Sequence, residues 1–269
     1  MNYLNWAHRF VPMRKRVVEF VPGFWDSSVA QSCGGNILDL VGRIERGEDL
    51  TRFLSDLIHQ RGYVPNNVRE SLPAHVRRWR DKDFALNALG VHHLHVSHPP
   101  SSAGPVPKGK EIIFVEFVPN YARFVLAGTH DDFHSERLVT AVARMRALMG
   151  FTFKGISLRE PTTPLSDLMP LATHGLSFST QVDGQVVPLS MISSDGTSTF
   201  LMDQFMKIQR TLSHVEPKVD EPDWLRALYE YMRLPMPTLH SFEWVLDCTA
   251  LHLREQRSGT VFNVVPGYR

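Results

Sequence analysis

The spacing of apolar residues gives this chain three textures in succession. After Ser32-Cys33-Gly34-Gly35-Asn36, the residues Ile37, Leu38, Leu40, Val41 and Ile44 recur at helical spacing, and Arg46-Gly47 ends the pattern. Leu50, Phe53, Leu54, Leu57 and Ile58 predict a second helix from Leu50 to Gln60. Helical spacing resumes from Asn67 to Leu89, broken by Pro73 and stopped by Gly90, with Arg77, Arg78, Arg80, Asp81, Lys82 and Asp83 as an exposed charged run. Ahead of these helices, Asn5 to Trp25 carries two Val-Pro steps and reads as an extended arm.

From Val91 the period shortens to two. Val91 to Ser97, Glu111 to Val118 and Arg123 to Thr129 read as strands of an antiparallel meander, with a Pro/Gly/Ser loop from Pro99 to Gly109. The middle strand is apolar on both sides, Ile113, Val115 and Phe117 against Ile112, Phe114 and Val118, which predicts a sheet covered on both faces. A helix follows from about Ser135 to Met149. Phe151 to Pro170 is irregular and proline-rich, a candidate boundary. Leu176 to Val182 and Gln185 to Met191, joined by Asp183-Gly184, predict a hairpin. Helices are expected over Thr199 to His214, Asp223 to Met232 and Ser241 to Arg257, and a closing strand over Val261 to Val265.

These elements predict an α+β protein with a helical N-terminal third, a central antiparallel β-meander and a mostly helical C-terminal third. Residues 1–150 would hold the helices and the histidine-rich sheet. Residues 151–269 would hold the hairpin and helical region, as a second domain or as part of the first.

Composition narrows the function classes. Twenty-nine Lys and Arg against 28 Asp and Glu leave a net charge of +1, so any nucleic-acid partner must be met by a local patch rather than a global field. No apolar run has the length of a membrane span or a signal peptide, and the two cysteines, Cys33 and Cys248, make neither a disulfide framework nor a cysteine zinc site. The expected setting is the cytoplasm, without a membrane partner.

Thirteen histidines are an excess, and several cluster. In Val91-His92-His93-Leu94-His95-Val96-Ser97-His98, strand alternation puts His93, His95 and Ser97 on one face, where two imidazoles can converge on a metal, a phosphate or a proton-transfer position. Thr129-His130-Asp131-Asp132-Phe133-His134 ends the last strand, and a sequential strand order brings His130 to the same rim. Histidines at a sheet rim also serve as hydrogen-bonded structural groups. Cys33, ahead of two glycines and a helix, is readable as a nucleophile and more simply as a buried thiol. The basic arm, Arg9, Arg14, Lys15 and Arg16 near Trp6 and Phe10, reads as solvated or as a contact for RNA or DNA. Trp224, Leu225, Leu228, Tyr229, Tyr231 and Met232 form an aromatic helix face suited to a core or to a protein partner.

Three family patterns bear on this cluster. His93-Leu94-His95-Val96-Ser97-His98 resembles the His-x-His-x-Asp-His signature of metallo-β-lactamase-type hydrolases, with Ser97 where that family has its metal-binding Asp. His130-Asp131 resembles the dyad of the HD phosphohydrolases, an all-helical family, whereas here the dyad ends a strand. Residues 67–149 resemble in layout the RelE-type ribonuclease toxins: a helix, the histidine-rich strand, a loop, an apolar strand, a turn, and an apolar strand ending at His130. That resemblance implies RNA cleavage without a metal, with His93, His95, His130, Arg80 and Arg123 as the acid–base and phosphate-neutralising groups, in a toxin or defence effector. The dense Lys/Arg pattern of the toxins is absent, and the C-terminal 120 residues or so have no counterpart in them. The metal-dependent hydrolase alternative would bind zinc or manganese through His93, His95, His130 and Asp131. A third expectation is a non-catalytic binding or regulatory protein with structural histidines.

Overall fold

The computed structural model of the chain describes residues 2–55, 58, 82–96, 109–156 and 165–267. It divides into two compact units, Asn2–Thr199 and a second from Phe200 onward, so the division falls about fifty residues beyond the irregular stretch that begins at Phe151.

The first unit is built on a four-stranded sheet. Helix α1 (Asn2–Ala7) leads into strand β1 (Val17–Phe20), followed by α2 (Ser28–Ser32) and α3 (Gly34–Arg46). The meander β2 (His92–His95), β3 (Glu111–Phe117) and β4 (Tyr121–Thr129) is antiparallel as the alternation predicts. β1 pairs in parallel with β4, giving the order β1-β4-β3-β2 and leaving the histidine-rich strand at an edge.

The N-terminal stretch is therefore not an extended arm. A helix and a paired strand hold it; Arg9 and Arg16 turn inward, while Arg14 and Lys15 are exposed. The Arg16 guanidinium donates to the carbonyls of Pro12, Arg14 and Val118 and is 4% exposed; Arg9 is 9% exposed.

Both faces of the sheet are covered, as the two-sided apolar pattern of β3 requires. On one face Leu94, Ile113, Val115, Phe117 and Phe124 pack against Ile37, Leu40 and Ile44 of α3 and against Phe24. On the other, Ile112, Phe114, Val125 and Leu126 meet Leu138, Val139, Val142 and Met145 of helix α4 (Glu136–Leu148) and Leu189 and Ile192. After α5 (Leu165–Thr173), β5 (Phe178–Val182) and β6 (Gln185–Ser190) form the expected hairpin. Asp183 and Gly184 both adopt left-handed backbone (φ 49° and 76°), the conformation of a two-residue turn that matches strand twist.

Two predicted helices differ. Over Leu50 to Gln60, a single 3₁₀ turn at Thr51–Phe53 gives way to extended backbone at Leu54, and residues 56, 57, 59 and 60 lie outside the described residues. Of Asn67 to Leu89, residues 67–81 lie outside the described residues, and Ala85–Leu89 is one wide helical turn closed by Gly90.

The second unit begins along α6 (Thr199–Val215) and continues with α7 (Pro222–Tyr231). Ser241 to Arg257 is not a helix. It is a hairpin of β7 (Phe242–Asp247) and β8 (Ala250–Glu255), which the expected closing strand β9 (Val261–Val265) extends into a three-stranded sheet. Of the aromatic face of α7, Leu225 and Tyr229 are core, with Tyr229 packing with Leu253 and Phe262 and supported by Trp224, Leu228, Phe242 and Trp244, whereas Tyr231 and Met232 are exposed. Buried Glu255 closes the turn after β8 by accepting the N–H groups of Ser241, Arg257 and Ser258, and hydrogen bonding from the Ser258 side chain together with these backbone groups holds its carboxyl down at about 2.

Candidate functional site

The strand registers place the histidines. His95 stands opposite Ile112 and His93 opposite Phe114, so both side chains leave the sheet on the α4 face. Glu111 pairs with Thr129, which brings the last residue of β4 to the same rim. His130 follows immediately, in a 3₁₀ segment His130–His134 closed at its start by a capping box between Thr129 and Asp132. Asp132 is the anchor of this segment: Oδ2 accepts the Thr129 N–H at 2.9 Å, and Oδ1 accepts from Ser135 Oγ at 3.0 Å and from Arg137 at 3.1 Å. A Cβ on Gly128 would stand 2.2 Å from Asp132 Oδ2, so the turn requires glycine there.

Three imidazoles converge as a result. Ring centroids lie 5.7 Å apart for His93 and His95, 5.3 Å for His95 and His130, and 6.3 Å for His93 and His130. Phe133 packs against this group, edge-on to His93 at 4.9 Å and nearly parallel to His130 at 5.8 Å. His95 is 4% exposed, whereas His130 is exposed. His92 takes the opposite direction, with its ring 5.3 Å from that of Phe117 and 6.4 Å from that of His8.

Asp83 completes the arrangement. Its Oδ1 accepts the Leu86 N–H at 3.0 Å and so starts the short helical turn, while Oδ2 lies 2.9 Å from Nδ1 of His93. The second contact is a close approach off the line of a straight hydrogen bond. Burial pushes the Asp83 carboxyl up, but the facing His93, the Leu86 N–H and His92 together bring it down to about 2. The carboxylate is thus ionised at neutral pH. With Nδ1 of His93 held, Nε2 is the nitrogen that can exchange a proton with a ligand. The His130 pKa lies below its ordinary 6.5, lowered by burial and by the neighbouring His93 against a smaller opposing pull from Asp131.

A pocket of about 270 Å³ opens beside these groups. His93, His130 and Asp83 line it with Arg9 and Lys82, and Leu54, Phe84 and Phe133 supply apolar wall.

The structure brings His93, His95 and His130 together, with exposed Asp131 next to His130 in the chain. Arg123 is not brought to them. It stands seven residues before His130 on a strand that rises ~3.3 Å per residue, roughly 20 Å away. There its guanidinium is paired with Glu19 at 2.9 Å and Glu116 at 2.8 Å. Arg80, Ser97 and His98 lie outside the described residues. Among the described residues, no three His, Cys, Asp or Glu side chains are arranged to hold a metal ion, so the zinc or manganese alternative gains no ligand geometry. Cys33 occupies the N-cap position of α3 without a side-chain capping bond, is partly buried against the core on the α3 side of the sheet, and is not among the residues that line the pocket.

By sequence, Lys82 and Asp83 belong to an exposed charged run, whereas the Asp83 side chain is 17% exposed and faces His93; Arg9 reads as a nucleic-acid contact only as part of an arm, and Phe133 has no role. Asp83 carried a local signal, an acidic residue three positions before Leu86 at a helix start. Its pairing with His93 is non-local, as is the presence of Arg9. No protein-family model, curated protein or solved structure matches this chain. No helix among the described residues is long and apolar enough to cross a membrane.

Proposed function

We propose that this site cleaves RNA by metal-independent acid–base chemistry. The observation that carries the reading is the pairing of two unlike histidines on one pocket: His93 backed by the Asp83 carboxylate, and His130 with a lowered pKa, beside two cationic side chains. His130, neutral at pH 7, takes the proton of a ribose 2′-hydroxyl. The 2′-oxygen forms a bond to phosphorus as the bond from phosphorus to the 5′-oxygen breaks, and His93 returns a proton to that leaving oxygen. Arg9 and Lys82 offset the charge that gathers on the phosphate. RNA suits such a site because its 2′-hydroxyl is an internal nucleophile, so no activated water or metal is needed. His95, buried and with its ring 5.7 Å and 5.3 Å from those of His93 and His130, is a positioning residue in this scheme.

The test is degradation of a labelled single-stranded RNA in excess chelator, with the new ends analysed. Cleavage leaving 2′,3′-cyclic phosphates, lost in His93→Ala and His130→Ala proteins of unchanged melting temperature, is the expected result. Absence of cleavage by the wild type would sink the reading. A second reading, a non-catalytic binding protein with structural histidines, is favoured by the burial of His92 and His95 at 2% and 4% exposure. It predicts instead that the histidine variants lose stability and that no RNA is cut.

A further inference from the structure

The helical turn that Asp83 begins is buried along its whole length, and one of its five residues, Ala85–Leu89, is polar. Asn87, 2% exposed, places a primary amide among Ala85, Leu86, Ala88 and Leu89. Packing alone would be served as well by a further apolar side chain, and a buried amide is costly unless both of its ends are bonded. Here both are. Nδ2 donates to the Asp83 carbonyl at 2.9 Å, next to the Asn87 backbone N–H, which donates to the same oxygen at 3.0 Å. Oδ1 accepts the N–H of buried Ser198 at 3.1 Å, 111 residues further along the chain, a bond that a local helical turn does not need for its own closure.

These bonds lead from a distant turn to His93. The Asp195 carboxylate accepts both the N–H and the Oγ1 hydroxyl of Thr197 at 2.9 Å, and the Ser193 hydroxyl as well. This closes residues 193–197 and aims the next N–H, that of Ser198, at Asn87. Asn87 then holds the Asp83 carbonyl while the Leu86 N–H holds Oδ1, so Oδ2 is left facing Nδ1 of His93. That approach is close, 2.9 Å, but off the line of a straight hydrogen bond, so a small rotation of the carboxylate alters it steeply.

We propose that Asn87 is a positioning residue of the acid–base site, whose amide ties the Asp83 turn to the turn at residues 193–198 and so keeps the Asp83 carboxylate on Nδ1 of His93. This assignment rests on the acid–base reading above and deepens it. With Asp83 held in place, the neutral His93 ring carries its hydrogen on Nδ1 and leaves Nε2 as the nitrogen that exchanges a proton in the pocket. A ring released from Asp83 divides between its two tautomers. Asn87 touches neither the histidines nor the pocket lining, so its effect on the chemistry passes through Asp83 alone.

The experiment reads the His93 tautomer from the imidazole nitrogen shifts of the full-length protein in mildly alkaline solution, alongside steady-state RNA cleavage, in the wild type, Asn87→Leu and Asn87→Ala. The alanine variant covers the case in which leucine is too large for the turn. The wild type should hold the Nδ1–H form, and the ratio of that form to the Nε2–H form should fall about 10-fold in a folded variant. For RNA cleavage, kcat should fall about 10-fold with KM unchanged, because substrate binding does not pass through Asn87. A tautomer ratio that stays at the wild-type value in a folded variant would overturn the inference. Loss of folding in both variants would overturn it too, by making Asn87 a requirement of the core alone. A shifted ratio in a protein whose wild type cuts no RNA would leave the positioning role standing and remove the acid–base reading. Cleavage with an unmoved ratio would do the reverse.

Discussion

Oδ2 of Asp83 lies 2.9 Å from Nδ1 of His93, while Oδ1 of the same carboxylate accepts the Leu86 N–H at 3.0 Å. One side chain therefore both starts a helical turn and orients the histidine. The carboxyl is ionised down to about 2 in the folded chain, against 3.8 in the reference state. A carboxyl held lower when folded stabilises the protein above its unfolded pKa, and that contribution disappears as pH falls from near 4 toward 2. The shift corresponds to about 2 kcal/mol. Asp83→Asn should lower neutral-pH stability by about that amount in urea unfolding and flatten the acid slope in that window. RNA cleavage should fall about 10- to 100-fold through loss of His93 orientation. A variant with the wild-type acid slope would show that the pair does not stabilise the fold.

In the proposed reaction, His130 is the group that would give activity its pH dependence. Its pKa lies below 6.5, so the neutral ring that accepts a proton predominates at pH 7 and is lost only in more acid solution. The rate of RNA cleavage should rise with pH through an inflection below 6.5. Asp131 opposes this lowering, so Asp131→Asn should move the inflection further toward acid. An inflection above 6.5 on the acid limb, or one unmoved in the Asp131 variant, would remove His130 from the role of base.

The turn that carries His130 depends on a close approach. A methyl group at Gly128 would stand 2.2 Å from Asp132 Oδ2, and Asp132 is the group that accepts the Thr129 N–H and ties down Ser135 and Arg137. Gly128→Ala must displace Asp132 from its cap, costing about 1 to 3 kcal/mol and shifting His130 away from His93. Activity should fall further than stability, because a displacement of about 1 Å at a reacting group is costly. Retained activity with the cap lost would place the chemistry elsewhere.

What could be read in advance followed from local periodicity. The two-sided apolar pattern of Ile112 to Val118 marked a covered strand, and the Asp183-Gly184 pair marked a tight hairpin, because side-chain period and turn chemistry are properties of neighbouring residues. Ser241 to Arg257 was misread because its turn has no glycine, asparagine or proline: Cys248 itself takes left-handed backbone at φ 50°, and a helix-like count of apolar residues masked the period-two burial of Leu251, Leu253 and Glu255. The histidine rim was legible as a strand end. Its partners were not, because Asp83 and Arg9 reach it from separate elements, and β1 joins the sheet across about a hundred residues.

Arg146 of α4 links the elements that hold the site in place. Its guanidinium donates to the carbonyls of Pro188 at 2.7 Å and Leu189 in β6, and to that of Leu89 at 2.8 Å at the end of the turn that Asp83 begins. All three acceptors are backbone oxygens whose loss of a charged donor leaves them unsatisfied in a packed region between α4, the hairpin and that turn. Arg146→Met keeps much of the stem volume and removes the donors, so it isolates the hydrogen bonds from the packing. It should cost about 2 to 4 kcal/mol in urea unfolding. Because one of the three bonds anchors the Asp83 turn, the His93 ring should also become more mobile, visible as broadened imidazole signals in NMR spectra. A loss of stability below about 0.5 kcal/mol would mean that water replaces the guanidinium at all three carbonyls.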